Sequence, residues 1–244
     1  MSNPPGSVIG TLFLIPNFLS EQTEVFPLPA GYAEITSQIK HFAVESDRTA
    51  RKLLAKLWGI SNLNHLDFFV FDAKKPDLEA EQELISLLKS GHDVGLISDA
   101  GYPSVADPGE GLVLRAHQAG IRVKPLIGPN SFIMALCASG LNAEQFVFHG
   151  YLPKEKMGRI SRLKELERDL KKSGYAQIFM ETPYRNRDLI RDMVQHLGPD
   201  TRLSAAWDIT GKNERVITLR VIDWKKISLS EESDQLPAVF ILGL

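Results

Sequence analysis

The sequence predicts an α/β protein of two domains, with a mostly parallel, doubly wound sheet in the first and a mixed sheet in the second. Three observations carry this. Apolar runs of strand length alternate with helical patterns up to Ile127. Gly128-Pro129-Asn130 then breaks the alternation. The later runs, from Arg202 onward, follow one another without regular helices between them, which favours mixed pairing. The expected domains are residues 1–127 and 128–244. With 43% hydrophobic and 24% charged residues in 244, each has material for a core.

The elements follow in order. Val8 to Ile15 is a strand closed by Pro16 and Asn17, and Ser20 to Ala30 is a loop. Gly31 to Lys40 is a weakly patterned helix and His41 to Val44 a short strand. Asp47 to Trp58 is an amphipathic helix with Ala50, Leu53, Leu54, Leu57 and Trp58 on one face and Gly59 as its stop. Leu66 to Phe71 is a strand, Asp77 to Ser90 a helix, and Val94 to Ile97 a buried strand. Asp107-Pro-Gly-Glu110 has the form of a helix start, with Asp as cap, Pro in the first position and Glu closing a capping box. That helix runs to Gly120, and Ile121 to Ile127 is the next strand. Asn130 caps a helix from Ser131 to Ser139, stopped by Gly140. Phe146 to Phe148 and Tyr175 to Met180 are strands around a long charged helix, Lys154 to Lys172. Thr182-Pro183 opens another helix. Arg202 to Trp207, Glu214 to Val221 and Ala238 to Leu242 are strands, the last preceded by a polar loop, Ser228 to Gln235.

Composition excludes several function classes. The formal net charge is −2 and the pI about 6.3, so any contact with nucleic acid needs a local basic patch. Cys137 is the single cysteine and lies in an apolar run, where it reads as a small buried hydrophobe; a reducing cytosol fits. The start, Met-Ser-Asn-Pro-Pro-Gly, lacks the pattern of a signal peptide, and no apolar stretch approaches the ~20 residues of a membrane span. There is no phosphate loop, Gly-x-Gly-x-x-Gly turn or Gly-x-Ser-x-Gly elbow. The six histidines have no ligand spacing, so no metal is expected.

Ligands of open α/β sheets bind beyond the carboxyl ends of strands. Three such junctions stand out: Ile97 into Ser98–Gly109, Ile127 into Gly128–Ser131, and Met180 into Glu181–Arg185. The first is twelve residues long, against the ~4–6 of an ordinary connection. On the helix after His41–Val44, Arg48, Lys52 and Lys56 recur every fourth residue and form a stripe suited to phosphates, or a solvated helix back.

Ser98-Asp-Ala-Gly-Tyr-Pro-Ser-Val-Ala-Asp-Pro-Gly109 resembles the Ser-Asp-Ala-Gly-Thr-Pro-x-x-Ser-Asp-Pro-Gly signature of the 16S ribosomal RNA cytidine 2′-O-ribose methyltransferases, a branch of the tetrapyrrole methylase superfamily. Gly10–Leu14, Glu45–Leu54, Gly128–Ser131, Ala138–Leu141, Phe148–Pro153, Glu181–Arg185 and Leu236–Val239 continue the likeness in order. The resemblance implies S-adenosylmethionine in a cleft between the two domains and a cytoplasmic homodimer. It implies cofactor contacts from Pro16, Gly101, Tyr102, Ser104, Val105, Asn130, Ser131, Met180, Ala206, Pro237 and Ala238. A hydroxyl acceptor would also use a base, for which Glu45, Asp47, Glu181 and Asp208 are candidates. RNA of the small ribosomal subunit is the implied partner, with Arg48, Lys52 and Lys56 on its phosphates. A tetrapyrrole or other small molecule as acceptor, or a cofactor-binding module without transfer activity, are the alternatives. Three runs depart from the branch: Ile15-Pro-Asn-Phe-Leu19 for Thr-Pro-Ile-Gly-Asn, Glu181-Thr-Pro-Tyr-Arg185 for Glu-Ser-Pro-His-Arg, and Trp207-Asp-Ile-Thr-Gly211 for Arg-Glu-Leu-Thr-Lys. These changes would flank the acceptor, which allows a different substrate.

Overall fold

Apolar residues at alternate positions of the short strands are buried on both faces of a parallel sheet, as a doubly wound arrangement requires. The computed structural model describes residues 9–20, 22–23, 28–29, 31–71, 77–227 and 231–244. The amino-terminal segment with Val8, much of the loop over 20–30, and residues 228–230 lie outside the described residues. Two units divide the chain, one within Met1–Phe18 and Phe26–Pro129, the other within Leu19–Val25 and Asn130–Leu244.

The first unit holds β1 (Thr11–Ile15), α1 (Tyr32–Thr36), β2 (His41–Val44), α2 (Asp47–Trp58), β3 (Asp67–Val70), α3 (Leu78–Lys89), β4 (Val94–Ile97), α4 (Glu110–Gln118) and β5 (Arg122–Pro125). The strands are parallel in the order β3-β2-β4-β1-β5. Phe13 and Ile15 of β1 and Phe42 and Val44 of β2 pack with α2 residues Leu53 and Leu54 on one face. Leu12, Ala43, Val94 and Leu96 pack with α3 and α4 on the other. The chain leaves β1 toward one face and β4 toward the other, so a crevice opens between these adjacent strands at their carboxyl ends.

The second unit holds α5 (Ser131–Ser139), β6 (Phe146–Tyr151), α6 (Lys156–Ser173), β7 (Ala176–Glu181), α7 (Asn186–His196), β8 (Arg202–Trp207), β9 (Arg215–Arg220), α8 (Val221–Trp224), α9 (Glu231–Asp234) and β10 (Ala238–Gly243). Its sheet, β6-β7-β10-β8-β9, is parallel only at β6 and β7. Leu163, Leu166 and Leu170 of α6 and Leu189 and Met193 of α7 cover one face, and Ala135 and Leu136 of α5 the other. Inside α6 and α7, Arg159 Nη2 meets the fully buried Asp192 carboxylate at 2.6 Å.

Four expectations need correction. Asp107 does not cap α4. Ser104 and Ala106 take left-handed φ values of 67° and 62°, the turn closes at Gly109 with φ 124°, and the helix starts only at Glu110 without a side-chain cap. The helix expected at Thr182-Pro183 starts at Asn186, because Tyr184 at φ 71° interrupts the turn. The helix expected from Gly31 to Lys40 is one turn, ended where Thr36 Oγ1 bonds back to Tyr32 O at 2.8 Å. Cys137 is exposed rather than buried, on the outer face of α5 with Ile133 and Met134.

Candidate functional site

Asn17, directly after β1 and Pro16, ties the first unit's crevice together. Its N–H donates to Gly101 O at 2.8 Å and its carbonyl accepts from Gly101 N at 3.2 Å. Its side-chain Nδ2 donates to the carbonyls of Ser98 (3.0 Å) and Asp99 (3.1 Å), all at 3% exposure. The loop after β4 is thereby pinned to the end of β1. Gly101 has φ 66°, a value that disfavours any side chain and most of all a β-branched one. Tyr102 Oη accepts from Gly128 N at 3.0 Å, and a Cβ on Gly128 would stand 2.4 Å from Pro16 Cβ. Pro16, Gly101 and Tyr102, expected at the cofactor from resemblance, are therefore drawn together with Gly128. Ser104 and Val105 follow on the same loop. The Ser104 hydroxyl is buried without a hydrogen-bond partner among the described residues.

Three carboxyls gather at the ends of β2 and β4. Glu45 Oε2 accepts from Asp99 N at 3.0 Å. Burial raises the Glu45 pKa, with the Asp99 charge adding to the rise and that hydrogen bond opposing it. Asp107 is raised to about 7, by burial first and then by the Glu45 carboxylate, against a hydrogen bond from Ser98. Sequence reasoning missed Asp107 as an acid–base group because its place before Pro-Gly-Glu has the form of a cap. The other candidate bases are committed elsewhere. Asp47 holds Arg51 Nε through both oxygens at 2.9 Å. Glu181, 2% exposed, accepts from Thr182 N at 2.7 Å and pairs with Arg185. A cavity of about 370 Å³ opens under the same loop, lined by Asp77, Glu81, Ser104, Asp107 and Gly109, with Arg115 Nε 2.6 Å from Glu81.

In the second unit, register places Met180 and Ala206 on either side of Val239, and Glu181 and Trp207 on either side of Ala238. Met180, Ala206, Pro237 and Ala238 thus share one end of three adjacent strands: the carboxyl ends of β7 and β8 and the start of β10. Asp208 follows β8 at φ 46° and is 6% exposed. Asn130 caps α5, its Oδ1 accepting from Ile133 N at 3.0 Å, with Ser131 next to it.

α2 begins where β2 ends, capped by Ser46. Arg48, Lys52 and Lys56 are exposed along it. Lys56 Nζ lies 4.2 Å from the Phe18 ring centroid. Arg51 is set apart from the stripe by Asp47, Leu63 O at 3.2 Å and the Phe68 ring. No described helix is long and apolar enough to cross a membrane.

Comparison with known proteins gives concordant results. The sequence profile of the tetrapyrrole (corrin/porphyrin) methylases matches residues 41–223. Ribosomal RNA small subunit methyltransferase I of Vibrio cholerae is 34% identical over 183 residues, 75% of this chain and 60% of that protein. The protein of the same name from Pseudomonas aeruginosa is 36% identical over 151 residues, 62% of this chain and 52% of that one. That from Escherichia coli O157:H7 is 31% identical over 201 residues, 82% and 66%. The chain thus spans between about half and two thirds of the length of these curated relatives. Among solved structures, the methyltransferase CobJ superposes with a TM-score of 0.61 at 15% identity, over 97% of this chain and 94% of that one. Uroporphyrin-III-C-methyltransferase from Thermus thermophilus gives 0.52 at 17% identity, over 96% and 92%. At such identities the likeness is one of fold.

Proposed function

The chain belongs to the tetrapyrrole (corrin/porphyrin) methylase family, and from that premise we propose that it is an S-adenosylmethionine-dependent methyltransferase whose acceptor is RNA. The observation that carries the reading is the crevice between β1 and β4, where Asn17 pins the long loop and gathers Pro16, Gly101 and Tyr102. Those residues fit the cofactor: the Ser104 hydroxyl on that loop is buried and unspent, and Gly101 keeps the backbone bare. Ser104, Val105, Asn130, Ser131, Met180, Ala206, Pro237 and Ala238 complete the proposed contacts.

The methyl sulfonium supplies an already activated methyl group. The protein has to align an acceptor oxygen with it and exclude water. We assign proton removal from that hydroxyl to Asp107, with burial first and the Glu45 carboxylate second raising its pKa to about 7. RNA is supported by the names of the relatives and by Arg48, Lys52 and Lys56, which run along α2 from the end that adjoins Glu45. Homodimeric assembly and a cytoplasmic site of action belong to the same reading and rest on the resemblance.

The test has two steps. Calorimetric titration with S-adenosylhomocysteine should show saturable binding to one site per chain; no heat and no saturation would reject the methyltransferase. Labelled methyl transfer is then offered to total RNA, small ribosomal subunits and a metabolite extract from cells lacking the protein. Label should enter RNA. Label confined to small molecules would keep the enzyme and reject the acceptor.

A further inference from the structure

Tyr184 joins two properties that seldom occur together. Its backbone stands at φ 71°, which bulky side chains rarely adopt, and its ring is 74% exposed. The turn that holds it is braced from within the second unit. Tyr184 N donates to Asp234 O. Arg185 pairs with the Glu181 carboxylate, which is buried. Asn186, also buried, donates from Nδ2 to Leu236 O at 2.7 Å and to Ser233 O at 3.3 Å. Arg187 N donates to Asp234 Oδ1 at 2.9 Å.

Backbone strain of this kind persists only where the surroundings impose it, and it gathers at functional sites. A turn alone would be better served by glycine or asparagine, which take this conformation at little cost. Tyrosine adds a flat ring on a fixed backbone, with few rotamers left to lose when something settles on it. The neighbouring strand brings similar groups to the same end of the sheet. β6 and β7 run parallel with Tyr151 opposite Met180, so both strands end there. Tyr151 is 52% exposed. Lys154 and Lys156, where β6 turns into α6, and Arg187, at the start of α7, are exposed as well. Glu155 is an exposed carboxylate among them, while Asp188 is taken up by Arg191 at 2.6 Å. This end of the unit therefore interleaves exposed rings with an excess of cations.

We propose that the carboxyl end of β6 and β7 is a stacking platform for single-stranded RNA, with the Tyr184 ring against the face of one base. The proposal rests on the reading of the chain as an RNA methyltransferase. Every base has a π-face, so stacking holds the strand without reading its sequence. Lys154, Lys156 and Arg187 meet the phosphates on either side. Tyr184 stands outside the proposed cofactor contacts, so the platform binds RNA whether or not the cofactor is present.

The test uses the full chain and two end-labelled strands, hexameric oligouridylate and an abasic hexamer with the same phosphates, followed by fluorescence anisotropy across a salt series. Tyr184→Asn keeps the left-handed turn and removes the ring. It should weaken oligouridylate binding about tenfold. Its slope of log affinity against log salt should stay that of the parent, because no phosphate contact is lost. Tyr184→Phe keeps the ring and should bind within about twofold of the parent. The abasic hexamer should bind the parent and Tyr184→Asn alike, and S-adenosylhomocysteine affinity should not change. Parent-like binding of oligouridylate by Tyr184→Asn overturns the proposal. So does an equal loss in Tyr184→Phe, which would assign the contact to the phenol hydroxyl, or an equal loss on the abasic strand, which would assign it to the backbone. A loss of S-adenosylhomocysteine affinity in Tyr184→Asn would place the ring at the cofactor and overturn it as well. A parent that binds neither strand rejects the RNA reading itself.

Discussion

Burial, and after it the neighbouring carboxylates of Glu45 and Asp99, raises the pKa of Asp107. A base must be deprotonated to accept a proton, so transfer should rise between about pH 6 and 8. Asp107→Asn should lose that rise and about a hundredfold or more in rate. A labelled-methyl pH profile checks both, and an inflection surviving in the variant removes Asp107 from the proton path. The same carboxyl bears on stability. Its folded pKa, about 7, lies above its ordinary 3.8, so the folded state binds the proton more tightly than the unfolded chain. The stabilisation is full below the ordinary value and is lost as pH rises through about 7. Asp107→Asn should therefore gain relative to the parent on going from pH 5 to 8, read by denaturant titration at both. Sequence pattern singled out the loop but not the environment of Asp107 within it. Cap or free carboxyl depends on the φ values of Ser104, Ala106 and Gly109, which no residue spacing reveals. Asn17 was hidden for a similar reason: its partners lie more than 80 positions away.

Among the elements, α2 was legible to the residue because its signals are local. Ser46 caps it, a leucine face buries it and Gly59 ends it at φ 67°. α5, between Asn130 and Gly140, was equally plain. α1 and α7 were not, since a turn closing on Thr36 and a left-handed Tyr184 are set by the surrounding packing. The stripe on α2 carries its own prediction. If Arg48 and Lys52 each neutralise a phosphate, Arg48→Ala with Lys52→Ala should flatten log affinity against log salt by about 1.4 for single-stranded RNA. Filter binding or fluorescence anisotropy across a salt series measures the slope. An unchanged slope would return the stripe to a solvated helix back.

At the scale of the whole molecule, fold class and the sheet types could be read from the alternation of patterns, but strand order could not. Parallel neighbours are chosen by crossovers, and nothing in β1 or β4 as short apolar runs says that they lie side by side. Nor could the sequence show that Leu19–Val25 belongs with the second unit after β1 has been laid down in the first. A ligand that binds only the folded chain stabilises it over the unfolded one. At a hundred times its dissociation constant, S-adenosylhomocysteine should add about 2.7 kcal/mol, raising Tm by roughly 5–11 °C for a chain of this size. Differential scanning calorimetry with and without the ligand measures this, and an unmoved Tm would contradict a specific site. The central place of β1 has a further consequence, for synthesis on the ribosome. Its neighbours begin their register at Val94, opposite Leu12, and Arg122, opposite Thr11. At about 5–20 residues per second, the first strand made waits roughly 5–20 s for the last of its partners. Until then Leu12, Phe13, Leu14 and Ile15 are a bare sticky segment on a growing chain, the place where a nascent-chain chaperone would be needed most.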